Sequence, residues 1–519
     1  MSRHAVQSFL FAPLLAVLLQ ACTTNPVTGQ SELTFMSEAQ ELQIGKQQYL
    51  PTQQSQGGAL NIDPSLTAYV QEVGQRLAAV SDRKLPYEFV VLNSSVPNAW
   101  ALPGGKIAIN RGLLTALENE SELAAVLGHE IIHAAARHTA QAQTRGMLLQ
   151  GALIASAIGA RNSDYANLIV SGASLGAQLI TQRYGRDAEL ESDVYGIRYM
   201  VRAGYDPRGA ITLQEKFVEL SKGRNPGWIE GLFASHPPSI ERVRKARKEV
   251  ETMDIASMDL RVGEQRYQKE LAFIKEAAPA YALLGEAYEE IGEDDLEEAV
   301  DKLERAEHLL PQEAKFYGLQ GDILLEQRRY REAITSYDAA LARNDAYFVY
   351  YLGRGVANAR LDNDNQARAD LQRSTELLPT AYAAMELGNL ALKENDRAAA
   401  MEYFRAAAQS GGEVGERATA AFVRLDMPQN PGNYFQTRVA VDQRGRLLAQ
   451  VGNASGVPVS NVQVEFRVLV SGRVQSAVRR IQSMAPGAST VVDAGVTLPE
   501  EVASDARNYD ARVVAATVQ

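Results

Sequence analysis

His129, Glu130 and His133 stand in the order His-Glu-x-x-His, within His129-Glu130-Ile131-Ile132-His133. On a helix, residues four apart project from one face. The two imidazoles can therefore grip one zinc ion while the carboxylate between them faces the water that the metal activates. Ion, base and water together are the chemistry of peptide-bond hydrolysis. A catalytic zinc takes three protein ligands and keeps a position for water, so a third ligand must come from elsewhere. Asp187-Ala188-Glu189-Leu190-Glu191-Ser192-Asp193 offers four acids. Glu189 and Asp193, four apart, share a helical face, and Glu191 points away from it. Glu189 is the expected third ligand to a single Zn2+. Asp193 is expected to hydrogen-bond the free ring nitrogen of a ligand histidine, taken as His129, and so to fix its tautomer and orientation. Glu191 reads as a solvated surface acid.

The remaining histidines differ in promise. His138 lies five residues past His133, about 140° around the helix at about 100° per residue, which reads as a surface or packing residue. His4 falls in the apolar leader, and His308 reads as a surface residue of the repeats described below. His236 sits in Ser235-His236-Pro237-Pro238, ahead of a basic helix beginning near Ile240. A residue before proline has a restricted backbone, so this ring can be held in a cleft. There it would stabilise a transition state or reversibly occupy the open zinc position; the alternative is an ordinary loop histidine.

The elements that must carry these residues are legible in outline. Ser121 to His138 reads as the metal helix, apolar at Leu123, Val126, Leu127 and Ile131, with Ser121 or Asn119 as its cap. Leu66 to Val80 is amphipathic and helical. Tyr87 to Leu92 and Ile107 to Ile109 read as strands, the second after the turn signal Pro103-Gly104-Gly105. Residues 147–160 and 168–180 are rich in Ala, Gly, Leu and Ile. Each is shorter than the ~20 residues of a membrane span. They read as two buried or hairpin helices, with a membrane-dipping or substrate-gating hairpin as the alternative.

A chain of 519 residues is too long for one core, and two to four domains are expected. A net charge of −11 argues against nucleic acid as a partner. Past the metal motifs, Gly285, Gly321, Gly355 and Gly388 recur at steps of 36, 34 and 33. Ala299, Ala333, Ala367 and Ala400 recur at 34, 34 and 33, and Ala306, Ala340, Ser374 and Ala407 keep those steps. Pro311 and Pro379 end two of the units. A 34-residue period of small residues is that of the tetratricopeptide repeat, whose paired helices approach closely there; such arrays present a concave surface to other proteins. From about residue 432 the period becomes two, with Val462, Val464, Phe466, Val468 and Val470 alternating with polar residues, as in a small β-sandwich. The expected layout is a leader over 1–21, a tether over 22–58, a mainly α, zincin-type (α+β) domain over 59–250, an α-helical repeat solenoid over 265–428 and an all-β sandwich over 432–519.

Cys22 is the only cysteine, so no disulfide can form within the chain. It follows an apolar run from Phe9 to Leu19, too short to span a membrane. Leu19-Gln20-Ala21-Cys22 looks like a bacterial lipobox, which implies cleavage before Cys22 and lipidation of that residue. The alternative is an ordinary secretory signal with an incidental cysteine. Thr23 in place of aspartate implies sorting to the outer membrane. The stretch 23–58 is polar, although Leu42 and Ile44 could dock on the body.

Together these motifs resemble the HtpX-like and CaaX-prenyl-endopeptidase-like zinc metallopeptidases. The likeness is greatest to their periplasmic lipoprotein branch, the β-barrel assembly-enhancing protease type, which joins this domain to tetratricopeptide repeats. The matching pieces are His129 to His133, then Glu189-Leu190-Glu191-Ser192-Asp193 against the family's Glu-x-x-Ala-Asp. Asn98-Ala99-Trp100-Ala101-Leu102-Pro103-Gly104-Gly105, His236-Pro237 and Thr24-Asn25-Pro26-Val27-Thr28-Gly29 match as well. The likeness runs from Cys22 to about residue 250 and loosely through the repeats. Ser192 replaces the usual alanine, and the terminal sandwich has no counterpart in the pattern.

The resemblance implies zinc on His129, His133 and Glu189, with Glu130 as the base that later protonates the leaving amine and His236 helping to hold the oxyanion. It also implies that Asn98, Ala99, Trp100, Ala101 and Leu102 form an edge strand on which an extended substrate pairs. The expected function is an outer-membrane-tethered periplasmic zinc metalloendopeptidase for misfolded or misassembled envelope proteins. Its repeats would recruit substrate or a partner such as the outer-membrane assembly machinery. The competing class is a non-enzymatic repeat scaffold or chaperone, which would have no use for Glu130.

Overall fold

The computed structural model describes residues 22–145, 184–223, 226–470 and 472–519. The expected leader 1–21 and the apolar stretches 147–160 and 168–180 lie outside the described residues. Among the described residues no helix is long and apolar enough to cross a membrane. The chain divides into two compact units, Met1–Arg354 and Gly355–Gln519, so the first repeats belong to the same unit as the metal motifs.

The first unit is built on a three-stranded sheet of β3 (Glu88–Leu92), β4 (Ala99–Leu102) and β5 (Lys106–Asn110), in the order β3-β5-β4. β3 runs parallel to β5 and β4 antiparallel to it. Gly104 and Gly105, at φ of 80° and 82°, make the turn between β4 and β5, a backbone shape that glycine adopts without strain. Successive strand residues face opposite sides. Phe89, Val91, Ile107, Ile109, Ala99 and Ala101 enter the main core with α2 (Pro64–Ala79), and Leu92, Trp100, Leu102 and Ala108 pack on the other side against Ile44 and Tyr49. Those last two lie on α1 (Glu38–Ser55), which opens with a capping box between Ser37 and Gln40. Ile44 thus docks on the body.

The metal helix is α3 (Glu120–Ala135), buried at every position and capped by Asn119, whose side chain accepts from Glu122 N at 2.9 Å. It does not reach His138 as the sequence suggested. It stops at Ala135, and Arg137 takes a left-handed φ of 63°. The second motif lies on α4 (Arg186–Arg202). These two helices touch at glycines: a Cβ on Gly128 would come within 3.3 Å of Gly196 O. That close approach lets side chains next to Gly128 meet those one turn before Gly196. The layer is completed by α5 (Arg208–Lys222) and α6 (Ile240–Glu251), the latter capped by Ser239.

The repeats begin as helix pairs α7 (Ala278–Gly292) with α8 (Leu296–Leu309) and α9 (Ala314–Glu326) with α10 (Tyr330–Leu341). The unit boundary falls inside α11 (Phe348–Arg360). The second unit continues with α12 (Asp364–Leu377), α13 (Ala381–Lys393), α14 (Arg397–Ala407) and α15 (Gly412–Asp426). Ala299, Ala333, Ala367 and Ala400 are all fully buried, as are Ala306, Ala340, Ser374 and Ala407. An added Cβ on Gly388 would lie 2.5 Å from the Phe404 ring, whereas on Gly285 it would meet open space, so the first repeat does not use that approach.

The terminal domain has two antiparallel three-stranded sheets, β10-β7-β6 and β11-β8-β9. Here β6 is Phe435–Val441, β7 Arg446–Asn453, β8 Val459–Val470, β9 Arg473–Met484, β10 Ser489–Thr497 and β11 Tyr509–Val518. Val462, Val464, Phe466 and Val468 point inward on β8 as the period of two requires.

One repeat residue carries a stability cost. Burial pushes the Asp322 carboxyl up to about 6, against the hydrogen bond from Tyr337 OH at 2.7 Å, which lowers it. The unfolded carboxyl titrates near 3.8. Between these values the folded chain holds the proton more tightly, so this contribution is present in acid and lost as pH rises through about 6. Asp322→Asn keeps an acceptor for Tyr337 and removes the charge. It is expected to stabilise the chain by roughly 1–3 kcal/mol at neutral pH, with the gain shrinking as pH is lowered toward about 4; denaturant titrations across that range check it.

Candidate metal centre

The side chains His129, His133, Glu189 and His236 offer four ligand atoms that all lie within 4.8 Å of one another, and all four residues are buried. His129 and His133 project from one face of α3, with their Nε2 atoms 3.0 Å apart. Glu189 enters from the first turn of α4, where the helix dipole favours an anion, and places Oε1 3.4 Å from His133 Nε2 and Oε2 3.6 Å from His129 Nε2. His236 follows the short helix Leu232–Ser235, its N–H donating to Leu232 O at 2.8 Å. Its Nδ1 is 3.0 Å from Glu189 Oε1 and 3.3 Å from His129 Nε2. It is therefore not an exposed loop histidine.

The hydrogen bonds set the tautomers. His129 Nδ1 lies 3.0 Å from Asp193 Oδ1. A carboxylate there accepts, so the ring carries its proton on Nδ1 and leaves the Nε2 lone pair free. Asp193 is in turn held by Arg242, through Nε to Oδ2 and Nη2 to Oδ1, both at 2.7 Å, and by Gln214 Nε2 at 3.2 Å. Arg242 Nη1 also lies 2.9 Å from Glu189 Oε2. Tyr184 stacks on the His133 ring with centroids 3.9 Å apart and anchors its own hydroxyl to Thr139.

Charge compensation follows from this packing. Burial pushes Glu189 and Asp193 up, but the opposing charges win. His236 and Arg242 hold Glu189 well below the usual carboxylate range, and Arg242 with the His129 hydrogen bond lowers Asp193. Burial holds His133 well below the usual imidazole range, so it is neutral. Burial also lowers His236, yet Glu189 and Glu130 outweigh it and raise the ring. Glu130 is different: burial raises it, and the nearby His236 and His129 only partly offset that. A raised carboxyl accepts a proton more readily near neutrality. Its Oε2 is buried and has no hydrogen-bond partner among the described residues, as befits a group whose partner is a reacting molecule.

These donors suit zinc. Two imidazole Nε2 atoms and an ionised carboxylate are borderline and hard donors in the number a catalytic zinc takes, and a fourth donor, His236, lies beside them. An orphaned acid at Glu130 completes the chemistry of an activated water with its base.

Sequence reasoning missed Arg242 and Tyr184. Arg242 sits among the exposed basic residues of α6, and only its place three residues after the Ser239 cap sets it apart. Tyr184 adjoins the Glu189 segment with no periodic signal. Glu191 also differs from expectation. It is not a solvated acid, because it accepts from Asn25 Nδ2 at 2.9 Å and lies 3.3 Å from His138 Nε2. His138 is buried, and the angle extrapolated along the helix does not apply beyond Ala135. Among the described residues β4 is the sheet's edge strand, with Ala99 to Leu102 paired to β5 on one side only and their side chains buried. The hairpin of β1 (Cys22–Thr24) and β2 (Ser31–Leu33) begins at Cys22.

Removing Arg242 would leave Asp193 without its guanidinium and Glu189 with His236 alone. Arg242→Leu is expected to cost the metal-free protein about 3–5 kcal/mol. Arg242→Lys should recover only part of this, since an ammonium cannot make the bidentate contact. Chemical denaturation of the metal-free chain measures both; wild-type stability in Arg242→Leu would contradict the compensation argument.

Comparison with known proteins agrees with this geometry. Residues 64–250 match peptidase family M48, and residues 314–347 match the tetratricopeptide repeat. The chain is similar to the β-barrel assembly-enhancing protease of Escherichia coli (strain K12), at 30% identity over 236 residues, covering 44% of this chain and 48% of that protein. It is also similar to the mitochondrial metalloendopeptidase OMA1 of Schizosaccharomyces pombe, at 35% identity over 182 residues, 34% of this chain and 51% of that one. The OMA1 of Saccharomyces cerevisiae matches at 28% identity over 257 residues, 45% and 72%. The chain thus spans about half the length of the bacterial relative it matches. Residues 64–250, which hold the whole metal cluster, are a peptidase family M48 domain, joined in this chain to tetratricopeptide repeats.

Proposed function

We propose that this chain is a zinc metalloendopeptidase acting on polypeptides of the bacterial envelope. The observation that carries the reading is the convergence of four buried ligand atoms from His129, His133, Glu189 and His236, with the orphaned Oε2 of Glu130 on the same helix. His129, His133 and Glu189 would hold one zinc per chain, which would supply Lewis acidity and an acidified water. Glu130 removes the proton of the attacking water at Oε2 and returns it to the departing amine. Asp193 holds His129 as the Nδ1–H tautomer. His236, beside the three ligands, would occupy the open position reversibly or, displaced from it, donate from its ring to the developing oxyanion. An extended substrate would pair with Asn98 and the edge of β4, Ala99 to Leu102, that is unpaired among the described residues, a mode that reads extension more than sequence.

The finer reading is quality control of misfolded or misassembled envelope proteins, with the chain tethered in the periplasm to the outer membrane by a lipid on Cys22. The name of the Escherichia coli relative and the lipobox-like Leu19-Gln20-Ala21-Cys22 support it. The repeats would recruit substrate or the outer-membrane assembly machinery, as protein-binding arrays do.

Glu130→Gln keeps the shape and removes the base. It is expected to lower cleavage of an unfolded substrate such as casein by roughly 10²–10⁴-fold while zinc content stays at the wild-type level. Unchanged cleavage would overturn the mechanism. A zinc-loaded wild type that cleaves neither unfolded nor envelope proteins would favour the scaffold reading instead.

A further inference from the structure

We infer that His138 and Glu191 are positioning residues for the ligand His133, and that Asn25, in the turn that follows Cys22, fastens this pair to the amino-terminal hairpin. The inference rests on the zinc reading of the site. His133 turns its Nε2 toward the ligand cluster, so its proton belongs on Nδ1, which lies 3.0 Å from His138 Nδ1. Two imidazole nitrogens at that distance need one donor and one acceptor. His133 Nδ1–H donates, and His138 accepts. His138 then carries its own proton on Nε2, 3.3 Å from Glu191 Oε1, which accepts it. The second ligand histidine thus has its own oriented chain, His133–His138–Glu191, matching the role of Asp193 at His129.

The far end of that chain is held by Asn25, which is fully buried. Its amide nitrogen donates to Glu191 Oε1 at 2.9 Å and to Glu32 Oε1 at 2.9 Å. Its Oδ1 accepts from Val27 N at 2.9 Å and Thr28 N at 3.2 Å. Both ends of the side chain are used, one to shape the turn and one to hold two carboxylates together. An aspartate there would repel both. The same hairpin is tied to the exit of α3 by Arg137, which donates to Thr23 Oγ1 at 3.1 Å and to Met36 O and Glu41 Oε1 at 2.5 Å each. The segment next to Cys22 is therefore a structural part of the metal site, and a pull on that segment reaches a metal ligand through three side chains.

The test measures zinc affinity of the full chain by competition with a chelator, together with the visible spectrum of the cobalt(II)-loaded protein and the melting temperature of the metal-free protein. His138→Ala is expected to weaken zinc binding by roughly 10–100-fold and to change the cobalt spectrum. His138→Asn places an amide oxygen near the lost acceptor and should restore most of both. Asn25→Ala should weaken binding by roughly two- to tenfold. Wild-type zinc affinity in His138→Ala, even with a lowered melting temperature, would overturn the positioning role. Equal losses in His138→Asn and His138→Ala would overturn the acceptor argument, and wild-type affinity in Asn25→Ala would remove the hairpin from the chain. A wild type that takes up no zinc would instead overturn the metal reading beneath it.

Discussion

Three carboxylates and three imidazoles share one buried space, and the Arg242 guanidinium between Asp193 and Glu189, together with His236, lets these two acids stay ionised there. Two uncompensated carboxylates at that depth would take up protons rather than remain charged. A protonated Asp193 would no longer fix the His129 tautomer, and a protonated Glu189 would be a poor ligand. Arg242 reaches the cluster only because α6 is anchored by its Ser239 cap and enters directly after His236-Pro237-Pro238. The loop that delivers His236 and the helix that neutralises the site are thus one piece of chain. Glu130 is compensated only in part, and its raised affinity for a proton is what a base requires.

The geometry depends next on how closely α3 and α4 approach. The contact of Gly128 with Gly196 brings the helices near enough for Asp193 to lie 3.0 Å from His129 Nδ1 and Glu189 3.6 Å from its Nε2. A larger residue at either glycine would push the two motifs apart. The sheet contributes less to the chemistry and more to alignment. It sandwiches its buried strands between α1 and the α2–α3 layer and leaves β4 at the edge beside the helix that carries the metal motif.

Much of this was legible in the sequence, for identifiable reasons. Glu189 and Asp193 share a face because α4 is an unbroken helix, so spacing alone placed them together. The repeat alanines are buried because a period of 34 residues reflects a repeated packing unit. The same arithmetic failed at His138, where the helix ends and Arg137 turns the chain with a left-handed residue. At Glu191 the spacing does turn the side chain away from the ligand face, but that outward face of α4 meets the amino-terminal hairpin and not water, a contact between residues 166 positions apart. Arg242 and Tyr184 were invisible because what distinguishes them is burial against distant elements, and neither periodicity nor local composition records that.

The central claim is that His129, His133 and Glu189 hold one zinc ion, with Asp193 outside the coordination sphere. X-ray absorption at the zinc edge on the purified full chain tests it directly. The account predicts one zinc per chain with at least two imidazole nitrogens and carboxylate oxygen at about 2.0–2.2 Å, and loss of the oxygen scattering and of most of the metal in Glu189→Ala. No stoichiometric zinc, or a wild-type spectrum and metal content in Glu189→Ala, would contradict it.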